Sequence, residues 1–347
     1  MFTQKKKIAI NGFGRIGRLF FRQAFGRGEF EIVAINDLGD IENLAYLLRH
    51  DTVYRGYDKE VSFTKNENGI GGELIVAGKH ITVLQEKDAT KLPWASLGID
   101  VVIESTGIFE SFEKASVHTA AAGAKHVVIT APAHDEEGVA GGRTILVGIN
   151  EEQLKTCHVS SNGSCTTNAT APVMQILQEE IGILKAGLST VHAYTATQTL
   201  TDSPTRGKDF RRGRAAAQNI VPSTTGAAVS VTRAISELKG KFDGTALRIP
   251  VITGSLDDIT FLAKRKTTAE EINNIFKKAA GSSRWHGIVA VSSDQPVSGD
   301  IIGSPYACII DLEYTKVIDG DLVKVLAWYD NEWGYVTTLI SHVLAIP

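Results

Sequence analysis

Apolar residues recur along this chain in two rhythms, and the rhythm changes near the middle. In the first half, short apolar runs alternate with stretches of helical spacing. KKKIAIN (5–11) predicts a strand and RIGRLFFRQAF (15–25) a helix. EIVAIND (31–37) predicts a second strand and IENLAYLLRH (41–50) a second helix. GGELIVAGKHITVLQ (71–85) predicts a hairpin that turns at Gly78-Lys79. IDVVIEST (99–106) reads as a buried strand, FEKASVHTAAA (112–122) as a helix and KHVVIT (125–130) as a further strand. Strands alternating with helices argue for a parallel sheet covered on both faces.

The second half reads differently. CTTNATAPVMQILQEEI (165–181) predicts a helix with Val173, Ile176 and Leu177 at helical spacing, and LSTVHAYTATQ (188–198) a strand. A polar, basic stretch follows over roughly 196–218. GTALRIPVI (244–252), DDITFLAKR (257–265), CIIDLEYTKVI (308–318) and LVKVLAWYD (322–330) are longer strands with few helices between them, which argues for an antiparallel sheet. GYVTTLISHVLAI (334–346) closes the chain as an apolar-faced helix. The change of rhythm puts a domain boundary near residues 160–165, and no repeat or low-complexity tract interrupts either part.

Composition bounds the function. A chain of 347 residues has room for two domains. With 43% apolar and 22% charged residues it is an ordinary globular sequence. A net charge of −3 gives no overall field toward nucleic acid or an anionic membrane. No run approaches the ~18 apolar residues of a membrane span, and the N-terminal apolar run is too short for a signal peptide. Cys157, Cys165 and Cys308 are odd in number with no CxxC, which favours a reducing compartment, by default the cytoplasm. No Cys/His spacing supports a metal site.

Two stretches carry candidate chemistry. Gly12, Gly14 and Gly17 form GxGxxG directly after a strand and at the opening of a helix, and Asp37 ends the next strand. Glycines let the turn approach a pyrophosphate, the helix N-terminus offers free N–H groups, and a carboxylate at that strand end accepts from ribose hydroxyls. The acid would repel a 2′-phosphate, so the expected cofactor is NAD rather than NADP.

The other stretch is SSNGSCTTNAT (160–170), where Cys165 sits among hydroxyls and amides at a helix start. Helix dipole and N–H donors there favour a thiolate, so its pKa is expected to fall. His192, near the end of a strand, is the candidate base, most of the other histidines reading as surface or loop. Hydroxyls cluster at Ser164/Thr166/Thr167, Thr195/Thr197 and Ser223/Thr224/Thr225-Gly226. With Arg212 and Arg248 they suit two anion sites flanking the thiol. TRGKDFRRGR (205–214) reads as a solvated or intersubunit loop rather than a nucleic-acid patch, because only Phe210 accompanies its charges.

INGFGRIGR (10–18), AIND (34–37), ESTG (104–107), TAPA (130–133), SNGSCTTN (161–168), HAYTATQ (192–198), QNIVPSTTGAA (218–228), ALRIP (246–250) and WYDNEWGY (328–335) occur in that order. Together they resemble the phosphorylating glyceraldehyde-3-phosphate dehydrogenases over essentially the whole chain. The resemblance implies an α/β Rossmann NAD-binding domain over 1–164, to which the C-terminal helix 331–347 returns. It implies an α+β catalytic domain with a large mixed sheet over 165–330, and a homotetramer. It makes Cys165 the nucleophile and His192 the base. Thr195 and Arg248, with Thr197, would hold the substrate's phosphate. Ser164, Thr166, Thr225 and Gly226, with Arg212, would hold inorganic phosphate. Gly12, Gly14, Arg15, Ile16, Gly17, Asp37, Lys87, Thr130 and Asn331 would serve NAD, Asn331 by orienting the nicotinamide carboxamide. The expected reaction converts glyceraldehyde 3-phosphate, phosphate and NAD+ to 1,3-bisphosphoglycerate and NADH. An erythrose-4-phosphate dehydrogenase is the alternative.

The chain also departs from the family pattern. A second cysteine often follows the nucleophile by four residues; here Ala169 stands. Lys87 stands where an arginine is common. RIPVITGSLDD (248–258) replaces an RVPTPNVSVVD-like segment, and VYRGYD (53–58) replaces a His-Gly-Arg-Phe type run.

Overall fold

The computed structural model describes residues 5–205 and 208–347; Arg206 and Gly207 of the basic stretch lie outside them. Two compact units result. One takes the chain up to Ile145 with Glu151–Gly163 and Leu339–Pro347, and the other takes Leu146–Asn150 with Ser164–Thr338.

The first unit is built on a sheet of nine strands among the described residues. It runs from Val61–Lys65 through Gly72–Val76, Lys79–Leu84, Phe30–Asn36, Lys6–Asn11, Val101–Glu104, His126–Ile129 and Val159–Ser161 to Arg143–Thr144. The apolar strands pair in parallel, as their near-continuous burial requires. Only the edge meander over 61–84 is antiparallel internally. The strand Lys6–Asn11 lies between Phe30–Asn36 and Val101–Glu104, so the order reverses at its carboxyl end, where such folds bind ligands. The helix Arg15–Ala24 buries Leu19, Phe20, Phe21 and Ala24.

Two sequence expectations change here. The hairpin turns at Ala77-Gly78, one residue earlier than expected. Both residues have positive φ (47° and 76°), which matches the twist of the flanking strands. The stretch 112–122 forms two short helices, Phe112–Ala115 and Val117–Ala120, that meet at Ser116.

The second unit carries seven strands among the described residues, in the order Val221–Thr224, Phe242–Ile249, Ile183–Ala193, Ser255–Ala263, Leu322–Tyr329, Cys308–Ile318, Val289–Ser292. This sheet is mixed rather than antiparallel. Ile183–Ala193 runs parallel to Phe242–Ile249, and Val289–Ser292 parallel to Cys308–Ile318. The helix Ala227–Ala234 lies in the crossover of the first pair, and residues 293–307, with the short turn Ser298–Ile301, join the second. The helix Cys165–Glu180 contributes Ala169, Val173, Met174 and Leu177 to a core shared with Leu188, Ile259, Phe261 and Val325.

Candidate active site

Ser164 starts the helix that carries the cysteine. Its extended backbone ends the preceding chain, and its Oγ accepts the Thr167 N–H at 3.0 Å. Cys165 is therefore the first helical residue. Its Sγ lies 3.3 Å from His192 Nε2. Strand register explains the base's surroundings: in the parallel pair, His192 stands opposite Arg248. Arg248 Nη1 reaches His192 Nδ1 at 2.5 Å and the Ala193 carbonyl at 3.2 Å. His192 Nδ1 also lies 2.6 Å from that carbonyl. The ring packs edge-on to Tyr329 at 6.0 Å.

The electrostatics overturn one expectation. Cys165 keeps a partly exposed surface, yet burial pushes its thiol up to about 11. Arg248 and the N–H and hydroxyl of Thr166 draw it back only in part. Desolvation of the charged form outweighs the helix start. Burial first, and then Arg248, lower His192 to about 3, so its imidazole is neutral. The resting pair is a neutral thiol beside a neutral imidazole.

The candidate anion ligands divide into three settings. Thr195 Oγ1 lies 3.0 Å from Thr197 Oγ1, and Arg212 Nη1 donates to Thr197 at 3.0 Å. Arg212 thus joins the two threonines expected at the other phosphate. Arg212 also lowers the Arg248 pKa, after burial, so their charges share one field. Ser164 is engaged as a cap, and Thr225 Oγ1 accepts the Ala227 N–H at 3.1 Å, ahead of the helix that Gly226 caps. Thr166 is buried, and its hydroxyl lies 2.9 Å from that of Tyr329.

In the first unit the glycine turn opens on a cavity of about 360 Å³ lined by Asn11, Gly12, Gly14, Asp37, Lys87 and Thr106, among others. Gly12 has φ +93°, and a Cβ there would stand 2.7 Å from the Ser105 backbone. A Cβ on Gly17 would meet the Gly12 carbonyl at 2.1 Å, so helix and strand approach too closely for any side chain. Asp37 accepts the Phe13 N–H at 2.7 Å and the Gly39 N–H at 2.8 Å, which ties the turn to the next strand. Its carboxylate keeps lone pairs for further donors.

Arg15 is directed elsewhere. Its guanidinium pairs with Asp51 and stands 5.7 Å from the Tyr54 ring centroid. Ile16 is half-buried and does not line the cavity. Thr130 Oγ1 donates to the Glu104 carbonyl at 3.0 Å and does not line it either. In the second unit, Asn331 Oδ1 accepts from Thr253 Oγ1, the Gly254 N–H and Ser255 Oγ at 3.2, 3.2 and 2.8 Å. The departing segment 248–258 therefore fixes this amide and leaves its nitrogen to donate.

Sequence reasoning missed several buried polar groups. His118, His126 and His342 are in the core rather than at the surface. His118 bridges Glu104 and Trp94, at 2.9 and 3.1 Å, and His126 and His342 share the Ser160 hydroxyl at 2.8 Å each. Asp257 is fully buried in the second unit. Its position was legible, because the alternation of Ile259, Phe261 and Ala263 runs back through it. Among the described residues, no group of three or more His, Cys, Asp or Glu could hold a metal ion. No helix among them is long and apolar enough to cross a membrane.

Comparison with known proteins adds to this geometry. Residues 6–112 match the family described as glyceraldehyde 3-phosphate dehydrogenase, NAD binding domain, and residues 164–331 match its C-terminal domain. The chain is 47% identical over 338 residues to a glyceraldehyde-3-phosphate dehydrogenase of Streptomyces coelicolor, covering 96% of each chain. It is 48% identical over 338 residues to that of Thermotoga maritima, covering 96% of this chain and 97% of the relative. It is 45% identical over 348 residues to glyceraldehyde-3-phosphate dehydrogenase 2 of Bacillus subtilis, covering 98% and 97%.

Proposed function

This chain belongs to the glyceraldehyde-3-phosphate dehydrogenase family, and from that premise we propose that Cys165 and His192 carry out its reaction. The reaction converts D-glyceraldehyde 3-phosphate, phosphate and NAD+ to 1,3-bisphosphoglycerate and NADH. The relatives' names do not favour the erythrose-4-phosphate alternative. The observation that carries the assignment of roles is the Sγ–Nε2 distance of 3.3 Å, with Arg248 on the far edge of the same imidazole.

The residues of the first unit fit the cofactor: a glycine cradle that a Cβ would fill, and a carboxylate with free lone pairs at the strand end. Gly12, Gly14 and Asp37 would hold its adenosine half, with Lys87 at the rim, and Asn331 would donate to the carboxamide. When bound, the cofactor supplies the hydride acceptor.

The chain's own residues do the rest. An arginine can only donate, so while Arg248 bonds Nδ1 the imidazole proton sits on Nε2, facing the sulfur. Thr195 and Arg248 would take the substrate phosphate. Drawn to that phosphate, Arg248 releases Nδ1; the ring gives up its Nε2 proton to solvent and takes one on Nδ1, which donates it to the Ala193 carbonyl. Nε2 is left with its lone pair toward Sγ and accepts the thiol proton as sulfur attacks the aldehyde carbon. The thiohemiacetal oxygen is held by the helix-start N–H groups and His192. Loss of hydride from this oxyanion leaves a thioester on Cys165, while the thiol proton stays on His192. Phosphate held by Thr166, Ser164 and Thr225-Gly226 then attacks it, the C–S bond breaks, and sulfur recovers a proton from His192. Arg15, Ile16, Gly17 and Thr130 support the cofactor turn and its neighbouring strand in this reading, while Arg212 joins the substrate-phosphate group through Thr197.

An absorbance assay for NADH with glyceraldehyde 3-phosphate, with and without phosphate, tests the proposal. Turnover independent of phosphate, or faster with erythrose 4-phosphate, counts against it.

We read the active form as a cytoplasmic homotetramer. Support comes from the segment 200–220, where Leu200, Phe210 and Ile220 are 76%, 79% and 68% exposed, an apolar display that a partner surface would cover. A monomer mass by light scattering would refute it.

A further inference from the structure

We propose that Asp257 is a positioning residue for the nucleophile: acting through Tyr329, it sets which way the Thr166 hydroxyl donates, and so whether Cys165 receives that hydrogen bond. The inference rests on the reading of Cys165 as nucleophile, and it takes that site further.

Asp257 lies on the strand Ser255–Ala263 with its side chain on the core face, 0% exposed, in register with Thr190. Thr170 Oγ1 donates to its Oδ2 at 2.6 Å. Oδ1 is buried with no well-aligned partner among the described residues. The carboxyl lies against the hydroxyls of Thr190 and Tyr329. From there a hydroxyl chain leads to the sulfur: Thr190 Oγ1 to Tyr329 Oη at 2.7 Å, Tyr329 Oη to Thr166 Oγ1 at 2.9 Å, and the Thr166 hydroxyl to Cys165.

Each hydroxyl in this chain has a single proton to donate. If Asp257 holds its own proton, the donors run outward: acid to Thr190, Thr190 to Tyr329, Tyr329 to Thr166, and Thr166 to the sulfur. If Asp257 is ionised it can only accept, and the order reverses. Thr166 then donates inward to Tyr329, and the thiolate loses its hydroxyl donor. The negative charge of Asp257 disfavours a Cys165 thiolate as well, so both effects have one sign.

Burial pushes Asp257 up to about 7, and the hydroxyls of Thr170, Thr190 and Tyr329 draw it back, so both orders are reached near neutral pH. The other groups facing this chain do not change charge there. Burial lowers His192 to about 3. Burial raises Tyr329 and Cys308 well above their usual ranges, and Asp257 adds to both. Arg248 stays a cation.

The test is the rate of iodoacetamide alkylation of Cys165 from pH 6 to 9, read on the Cys165 peptide by mass spectrometry in the full chain. Asp257→Asn is uncharged and cannot reverse the chain. Its rate should match the unsubstituted protein at pH 6 and exceed it about three- to tenfold at pH 8, the worth of one hydrogen bond. Tyr329→Phe cuts the chain while leaving the charge in place, and should show a clear but smaller gain at pH 8. The double variant should gain no more than Asp257→Asn alone. A rate for Asp257→Asn at pH 8 no greater than that of the unsubstituted protein overturns the proposal. So does a gain in Asp257→Asn with none in Tyr329→Phe, which would leave only a charge effect. Phosphate-dependent NADH formation is measured separately: its absence would sink the proposed reaction without altering the alkylation result.

Discussion

Arg248 Nη1 stands 2.5 Å from His192 Nδ1, and Cys165 Sγ stands 3.3 Å from Nε2 of the same ring. One cation therefore faces both the base and the expected position of the substrate phosphate. Arg248→Leu should remove the phosphate contact and leave Nδ1 bonded to the Ala193 carbonyl. KM for glyceraldehyde 3-phosphate should rise at least tenfold, the worth of a hydrogen bond to a charged group. Oxidation of glyceraldehyde, which has no phosphate, should change much less. Equal losses on both substrates would show that Arg248 acts on the ring alone.

The neutral thiol beside a neutral imidazole makes proton transfer part of the attack. Cys165→Ser should abolish phosphate-dependent NADH formation, since a serine hydroxyl is far harder to ionise. His192→Asn should lower kcat by ~10²–10⁴, the usual contribution of a general acid–base. Steady-state kinetics on the two variants decide this, and a near-normal rate for His192→Asn removes it from the role of base.

Asp37 serves the turn as well as the cofactor, because its two oxygens accept the Phe13 and Gly39 N–H groups. Asp37→Ala should lower kcat/KM for NAD about tenfold or more and narrow the preference over NADP, for want of the carboxylate that opposes a 2′-phosphate. It should also lower the melting temperature, because two amides lose their acceptor. An unchanged ratio of the two cofactors would place discrimination elsewhere.

What was legible in the sequence was local. The glycine turn followed an apolar strand and opened a helix, and Cys165 stood in a polar segment at a helix start; both signals lie within a dozen residues. What was not legible depended on pairing between distant segments. Nothing near His192 in the chain announces Arg248, 56 residues away; parallel register brings them together. Helix position can be read from sequence and burial cannot, so the rise of the Cys165 thiol is not legible there. Nor does spacing announce that Arg212 donates to Thr197, a pairing that loop geometry sets.

Ala169 is fully buried in the core, so the helix turn after the nucleophile offers it no thiol. Cys157 and Cys308 are buried, and burial raises both thiols. Peroxide should therefore carry Cys165 to sulfenic and then sulfinic acid without an intramolecular disulfide. Mass spectrometry of the treated protein checks this; a disulfide-linked Cys165 peptide contradicts it.

The buried carboxyl of Asp257 should also show in stability. Its folded pKa is raised to about 7 from the ordinary 3.8, chiefly by burial. The folded state therefore binds its proton more tightly than the unfolded chain. The contribution is fully present below about pH 4 and is lost as pH rises through 7, by about 4 kcal/mol in all. Asp257→Asn carries no such proton. Relative to the unsubstituted protein it should gain stability steadily from pH 5 to pH 8. Thermal melts at the two pH values measure this, with the difference in melting temperature expected to grow in favour of the variant. A difference that stays constant across that range would mean that Asp257 is ionised in the folded protein throughout, against the burial and pairing seen around it.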